Sequence, residues 1–530
     1  MSSIVKVKVG KNIYLYESVS YRNEDGKVRN NRTIIGKINP KTGKPVYNAD
    51  YLAKMEKKGT PVEISDTDAQ FSIDDIQKSS IKDYGAFYLF KNIADSIGLM
   101  DSIQQALPRY WQEIFTLACY LISSGDSFSY CEDWIYSTES YEVGSMSSQR
   151  ISELLSAINP KMRDDFYQKW CSYRSEREYL AFDITSTSSY SQLIDEVEWG
   201  YNRDHEHLPQ VNICMLMGEK SRLPIYQTVY SGSLKDVSTL KTTLSQMDSI
   251  SAGKSILLVF DKGFFSTGNV NAMLNDPSGM KFVIAVPFTA LFARNHVENE
   301  RHQIDNIKNT ILTGGETVRG ITRYSEWTKK DKLHSHIYFN AMKAVKQRED
   351  VYGHVTALKE FAEKEPAKAS EDKECCKYFN IRKSKKQPNG YLVNINEDAV
   401  AKALATSGWM VLISNHITDV KEALSIYREK DVVEKGFLRL KTSLDLGRLR
   451  VHSSNNMNNK VFIGFISLIL LSYMHKVMSD KRLYHKMTMK KLITTLSKLR
   501  IQEINGKTIM YPLTKEQKEI YKAFDLTEPV

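Results

Sequence analysis

The order of segments between Tyr179 and Phe288 restricts the fold more than any other feature of the chain. YLAFDITS, VNICMLMGEK and LPIYQTVYSG read as three consecutive strands, entered through HLPQ and divided by GEKSRLP. DVSTLKTTLSQMDS predicts a helix, SILLVFDKG a buried strand, TGNVNAMLND a short helix and KFVIAVPF a last strand. Apolar, β-branched and aromatic runs bounded by turn residues are strand signals. Strands that give way to alternating helices and strands call for an α/β sheet covered by helices. Two of these strands run into an aspartate, Asp183 after YLAF and Asp261 after SILLVF. Ligands of open α/β sheets gather at the carboxyl ends of strands, so two strand-end aspartates on neighbouring strands can converge. A turn or helix-cap role is the competing reading for each.

The flanks divide the rest. Residues 1–60 form a basic β-rich unit, with VKVKVG, KNIYLYESVSYR and NRTIIGKI separated by the turn signals EDGK and NPKTGKP. Residues 61–177 are expected to be helical and, from the basic region ahead of them, DNA-binding. The first part of the core spans 178–287. Residues 288–418 break its rhythm and are expected to form an inserted subdomain with some β structure. Within them KEFAEKEPAKASEDKE is a flexible loop or exposed helix, and NGYLVNIN and SGWMVLISN are strands. The core resumes over 419–480, and a helical tail covers 481–530.

The 14-residue run VFIGFISLILLSYM (461–474) is short for a membrane span and fits a buried helix. With no apolar leader in MSSIVKVKVGKNIYLY, the expectation is a cytoplasmic, nucleoid-associated protein without a membrane partner. Six cysteines without a CxxC pair exclude a disulfide framework and a thiolate zinc site. The net charge of +10 suits a polyanionic partner. GKS at 253–255 lacks the preceding glycine of a phosphate-binding loop. The acidic stretch LIDEVEWGYNRDHEHLP, with Asp195, Asp204, His205 and His207, reads as a solvated loop.

One basic segment stands apart: YREKDVVEKGFLRLK, 427–441. On a continuous helix Tyr427, Lys430, Glu434 and Lys441 share an arc of roughly 60°. A carboxylate kept among cations suits a site where Asp183, Asp261 and Glu434 together offset divalent cations. All-oxygen ligands favour Mg2+ or Mn2+ over zinc. Two such ions activate an attacking oxygen and stabilise a leaving one in phosphoryl transfer. Lys430 and Lys441 would then hold phosphates, and Tyr427 would hydrogen-bond or stack.

The three acidic motifs, FDITSTS, FDKGFFS and the Tyr427–Lys430–Glu434–Lys441 spacing, resemble the DDE transposases of bacterial insertion sequences. The resemblance is to the group marked by a Tyr-Arg-Glu-Lys pattern with a β-rich insertion before the catalytic glutamate. Lys430 stands where that group has arginine, which keeps the charge and loses a bidentate fork, and Arg428 lies nearby. The resemblance implies an RNase H-like catalytic core, with Asp183, Asp261 and Glu434 catalytic and holding two Mg2+ or Mn2+ ions. Tyr427, Arg428, Lys430 and Lys441 would bind double-stranded DNA, both transposon terminal inverted repeats and target. It further implies end cleavage, strand transfer, a hairpin intermediate and a homodimer on paired ends. A flipped base would stack on an aromatic of the insertion, with Trp327 the candidate and Trp409 assigned to the core. An RNase H-like nuclease without strand transfer and a non-catalytic DNA-binding descendant are the alternatives.

Overall fold

The structure is a computed structural model that describes residues 2–9, 12–22, 28–39, 44–48, 50–51, 54–55, 79–173, 178–234, 239–240, 243, 257–277, 279–387, 390–505 and 507–529. It divides into a small unit, mainly residues 1–80, and a large one holding the rest. In the small unit Ser2–Val9, Asn12–Arg22, Val28–Ile38 and Pro45–Tyr47 make an antiparallel sheet in that order. The turns EDGK and much of NPKTGKP lie outside the described residues, as do GKS and most of the helix expected at DVSTLKTTLSQMDS.

The large unit is built on a nine-stranded sheet flanked by helices. At its heart Leu180–Ser188 pairs antiparallel with Gln210–Gly218, which pairs antiparallel with Pro224–Ser231. On its other side Leu180–Ser188 runs parallel to Leu257–Phe260, which runs parallel to Lys281–Ala285. These strands are nearly continuous apolar runs because both faces are covered. Four strands from 310–414 extend the same sheet: Trp409–Ser414 joins Lys281–Ala285, followed outward by Lys332–Phe339, Glu316–Glu326 and Thr310–Thr313, all antiparallel. The segment between them is mostly helical, at Ala341–Lys364, Pro366–Ala369 and Lys373–Tyr378. KEFAEKEPAKASEDKE is therefore largely exposed helix. Val355, Tyr378, Phe379 and Val400 give it a small core of its own.

VFIGFISLILLSYM lies in the helix Ser454–Asp480. Among the described residues this is the one helix long and apolar enough to cross a membrane, yet 78% of its most apolar window is buried inside the protein. The helices Trp111–Ser124, Ser148–Ala157 and Pro160–Ser172 share its core. Asn459, fully buried, ties the last two of these to it by donating to the carbonyls of Leu155 (2.6 Å) and Ile158 (2.8 Å), while Arg163 donates to its Oδ1 at 2.6 Å. A buried amide with its groups satisfied fixes one register of helix against helix. The tail is helical at Met489–Ser497 and Lys515–Ala523, but Arg500–Ile504 and Lys507–Met510 are strands where helix was expected. The Asn505–Gly506 dipeptide is a hairpin-turn signal, and Asn505 has φ of 50°.

Where the added strands meet the core, burial pulls His336 and His416 down to about 4. His336 is fully buried, with Nδ1 2.8 Å from Thr322 Oγ1. Its folded value lies below the unfolded one near 6.5. The unfolded chain therefore binds more protons as pH falls, and stability is lost from about pH 6.5 down to about pH 4. Denaturation at pH 7 and pH 5 is expected to show His336→Gln losing less on acidification than the native chain, by about 2 kcal/mol. Equal losses would mean that His336 is not held neutral.

Candidate functional site

The sheet register brings the two aspartates together. Phe182 pairs with Phe260 across parallel strands, so the next residues, Asp183 and Asp261, stand side by side. Only Asp261 ends its strand; Asp183 is the fourth residue of the nine-residue Leu180–Ser188. It was expected at a strand end. The strand instead continues through TSTS, because Thr185 to Ser188 pair with Ile213 to Gln210. Burial pushes the Asp183 carboxyl up to about 6, against the pull of Lys430 and the Ile184 N–H, which donates to it at 2.9 Å.

Glu434 arrives on a separate helix, Asp431–Thr442. Val433, Phe437 and Leu440 bury its inner face. At Gly436 a Cβ would stand 2.3 Å from Met217 Sδ, so glycine lets this helix lie close against the strand Gln210–Gly218. The single helix expected through 427–441 is two helices, Val420–Glu429 and Asp431–Thr442, meeting at Lys430. The Lys430 N–H bonds back to Tyr427 O at 3.3 Å, and Val433 N–H to Lys430 O at 3.1 Å. These i to i+3 bonds tighten the turn and shift the angular register, so the arc drawn for a continuous helix does not apply.

On either side of the break, Tyr427 and Lys430 turn toward the acids. Tyr427 Oη donates to Asp261 Oδ1 at 2.8 Å. Burial, with Asp261 next, holds that phenol well above the ordinary tyrosine value. Lys430, only 7% exposed, donates to Glu434 Oε1 at 2.7 Å. Burial alone would lower its ammonium; the bond to Glu434 and the charges of Asp261 and Asp183 outweigh that and raise it. Asp183, Asp261 and Glu434 line one cleft of about 290 Å3 with Thr185, Arg203 and Phe437. A larger groove of about 1310 Å3 shares Asp261 and Glu434 and extends past Lys430 and Arg428 to Lys343 and Trp409.

Among the described residues no three His, Cys, Asp or Glu side chains converge tightly enough to grip a metal ion as they stand. The donor set nevertheless has the chemistry of a hard divalent cation, with three carboxylates in one cleft. Lys430 supplies the positive charge among them, and Glu434 is turned toward it.

The remaining expected residues lie outside the smaller cleft. Lys441 Nζ contacts both carboxylate oxygens of Asp204, at 2.8 and 2.6 Å. Arg428 donates to Glu316 Oε2 at 3.0 Å and reaches Thr313 at 3.3 Å. Trp327 is packed rather than offered: its Nε1 donates to Asn271 at 2.8 Å and its ring meets Phe265 and Phe292 edge-on. Trp409, 9% exposed, lines the larger groove while belonging to the sheet. Arg203 has no signal in the sequence, and Asp204 was read there as part of a solvated loop. Both sit in the loop after the Asp183 strand, and the reach of Arg203 to the acids and of Asp204 to Lys441 depends on tertiary folding that no local spacing encodes.

A family model described as the transposase DDE domain matches residues 174–470, more than half of the chain. The comparison with curated proteins finds no match. Among solved structures, the chain is similar to piggyBac transposase in a synaptic complex with hairpin DNA, studied by cryo-electron microscopy. The identity is 13% and the TM-score 0.37, over 72% of this chain and 69% of that one.

Proposed function

Because the chain belongs to the transposase DDE-domain family, we propose that it cuts the ends of a bacterial insertion sequence and joins them to target DNA through Asp183, Asp261 and Glu434. The observation that carries this reading is the register pairing of Asp183 with Asp261 in a cleft that Glu434 also lines. The five strands from 180 to 285 support an RNase H-like core: three antiparallel strands in sequence, then two parallel ones beside the first. The strands from 310 to 414 extend that core as the insertion.

The three carboxylates would hold two Mg2+ or Mn2+ ions, which supply activation of the attacking oxygen and stabilisation of the leaving one. Around them the chain's own groups do the orienting. Tyr427 fixes Asp261 by its hydrogen bond. Lys430 balances the acids until they are engaged. Arg203, on the cleft wall, offers a cation to a phosphate oxygen. Water attacks first and leaves a 3′-hydroxyl, which then attacks a second phosphodiester. Hairpin formation at the ends and a homodimer on paired ends complete the proposal. A pre-cut duplex end with a free 3′-hydroxyl, supplied with Mg2+ and plasmid, tests it. Joined product supports transposition; cleavage by water alone favours the nuclease alternative.

Asp204 sits on Lys441 as a phosphate would. Lys441→Ala is expected to weaken DNA binding evenly across sequences and to lower the salt slope by about one phosphate contact. Asp204→Asn is expected to tighten binding by about 2- to 5-fold at low salt, since an exposed ion pair is worth up to about 1 kcal/mol. Electrophoretic shifts at 50 and 200 mM salt measure both. An unchanged slope for Lys441→Ala would remove that lysine from the DNA interface.

A further inference from the structure

Residues 189–209, the loop between the Asp183 strand and the next, hold five acids against one arginine, Arg203, in a chain of net charge +10. An acidic loop on the wall of a cleft that takes DNA repels the substrate, so the destination of each carboxylate matters. Glu196 accepts from Ser454 Oγ at 2.6 Å, Glu198 accepts from Ser231 and Ser233, and Asp195 is exposed. The other two sit on cations. Asp204 holds Lys441 Nζ at 2.8 and 2.6 Å, and Glu206 accepts from the Arg448 guanidinium at 2.5 Å. Arg448, with Ser188 Oγ, keeps the Glu206 carboxyl below the usual glutamate range.

The turn that carries these two acids is set in place from below. Asn202, 8% exposed, donates to Ser188 Oγ at 2.9 Å. Its Oδ1 accepts from the N–H groups of Asp204 and Glu206, at 2.9 and 3.3 Å. The Arg203 N–H donates to Ser186 Oγ at 2.8 Å. His205, between the acids, has φ of 58°, a left-handed conformation that a residue with a Cβ keeps only where its surroundings impose it. The cations are tied down as well: the Arg448 backbone bridges to Ser188, and the Gly447 N–H donates to the Lys441 carbonyl at 3.3 Å. A single surface ion pair is common and weak. Here two occur in succession, on a strained turn that also sends Arg203 to the cleft of the three acids.

The chain between two residues at this spacing spans at most about 7 Å, the scale of one backbone step of a DNA strand. To an ammonium or a guanidinium, a carboxylate and a phosphodiester offer the same charged oxygen acceptor. We propose that Lys441 and Arg448 hold two successive phosphates of the strand entering the cleft, and that Asp204 and Glu206 are a built-in copy of those phosphates, which occupies the track until DNA displaces it. Only two side chains have to swing, and the turn beneath them stays. The copy competes with every duplex alike. DNA gripped by further contacts elsewhere on the chain withstands that competition; DNA met at random dissociates before the cleft acts on it. Arg448 thereby joins the DNA surface, and the acidic loop regulates access to it. The inference deepens the transposase reading and rests on it.

The test is a set of gel shifts at 50 mM salt, with Ca2+ in place of Mg2+, on a random-sequence duplex and on a duplex carrying the element's terminal repeat. Asp204→Asn combined with Glu206→Gln is expected to tighten binding of both by about tenfold, since each exposed ion pair is worth up to about a fivefold effect. Glu206→Gln alone, which keeps an acceptor for Ser188, should give about two- to fivefold. Asp195→Asn with Glu198→Gln makes the same charge change on the same loop without freeing a cation, and should give less than about twofold. In a chain with Lys441→Ala and Arg448→Ala, substituting Asp204 and Glu206 should gain no more than that control pair does. Equal gains from the two acid pairs, or a gain that persists without the two cations, would mean that only the general field of the loop acts, and would overturn the copy. So would the absence of any gain from Glu206→Gln. A native chain that binds neither duplex would overturn the transposase reading itself.

Discussion

Glu434→Gln, Asp183→Asn and Asp261→Asn are each expected to abolish DNA cleavage and strand transfer while DNA binding stays within a few-fold of the native chain. The substitutions keep shape and hydrogen-bonding reach but remove one of three negative charges from a single cleft. Charge is what the site contributes. Divalent cations opposite a phosphodiester supply several kcal/mol of stabilisation to the transition state, and losing their grip costs roughly a thousandfold or more in rate. Binding survives because most contacts to DNA are made to the phosphate backbone over a wide surface. Cleavage of a duplex carrying the element's own terminal repeat, with Mg2+, followed in parallel with a binding assay, reads both quantities. Normal cleavage by any of the three variants would remove that residue from the chemistry. The same assay with zinc in place of Mg2+ should yield no product, since hard oxygen donors suit the smaller s-block ion.

The sequence disclosed this trio because each acid follows a locally readable signal. Phe182 and Phe260 close apolar runs, and the aspartate after each is the first polar residue of its run. Glu434 was legible from its spacing to Tyr427 and Lys441. What spacing could not show is the break at Lys430. No proline or glycine marks it, and helical periodicity assumes the continuity that the break removes. The partners of Lys441 and Arg428 were hidden for a different reason. Asp204 and Glu316 lie 237 and 112 residues away in sequence, so only the completed sheet brings them near. Of the two insertion strands legible in the sequence, SGWMVLISN joins the large sheet and NGYLVNIN pairs with Phe379–Lys383 in a separate two-stranded sheet. An antiparallel strand looks the same in sequence whichever sheet it joins.

Lys430 is the residue on which the charge balance of the cation-free site turns, and Lys430→Met is expected to show it. In the presence of EDTA this variant should be destabilised by about 3 kcal/mol, the lower end of the cost of breaking a buried ion pair. The lower end applies because the Glu434 side chain is 56% exposed and is partly solvated already. Methionine keeps the apolar stem and removes the ammonium, so Asp183 and Asp261 are left side by side with Arg203 as the cation remaining on the cleft wall. The deficit should shrink as the pH falls toward about 6, because the Asp183 carboxyl, freed from the Lys430 charge that holds it down in the native chain, takes up its proton at a higher pH in the variant. An acid whose folded value is raised above the unfolded one penalises folding at higher pH, and protonation lifts the penalty. Millimolar Mn2+ or Mg2+ should also close the gap between variant and native chain, because a cation that binds only the folded state stabilises it by mass action. Lys430→Arg should match the native chain in EDTA, since it restores the charge. Chemical denaturation of the three proteins, with EDTA and with metal, at pH 5 and pH 7.5, separates these terms. If Lys430→Met is as stable as the native chain in EDTA, the three acids do not share the ammonium. If metal stabilises neither protein, they do not form a cation site.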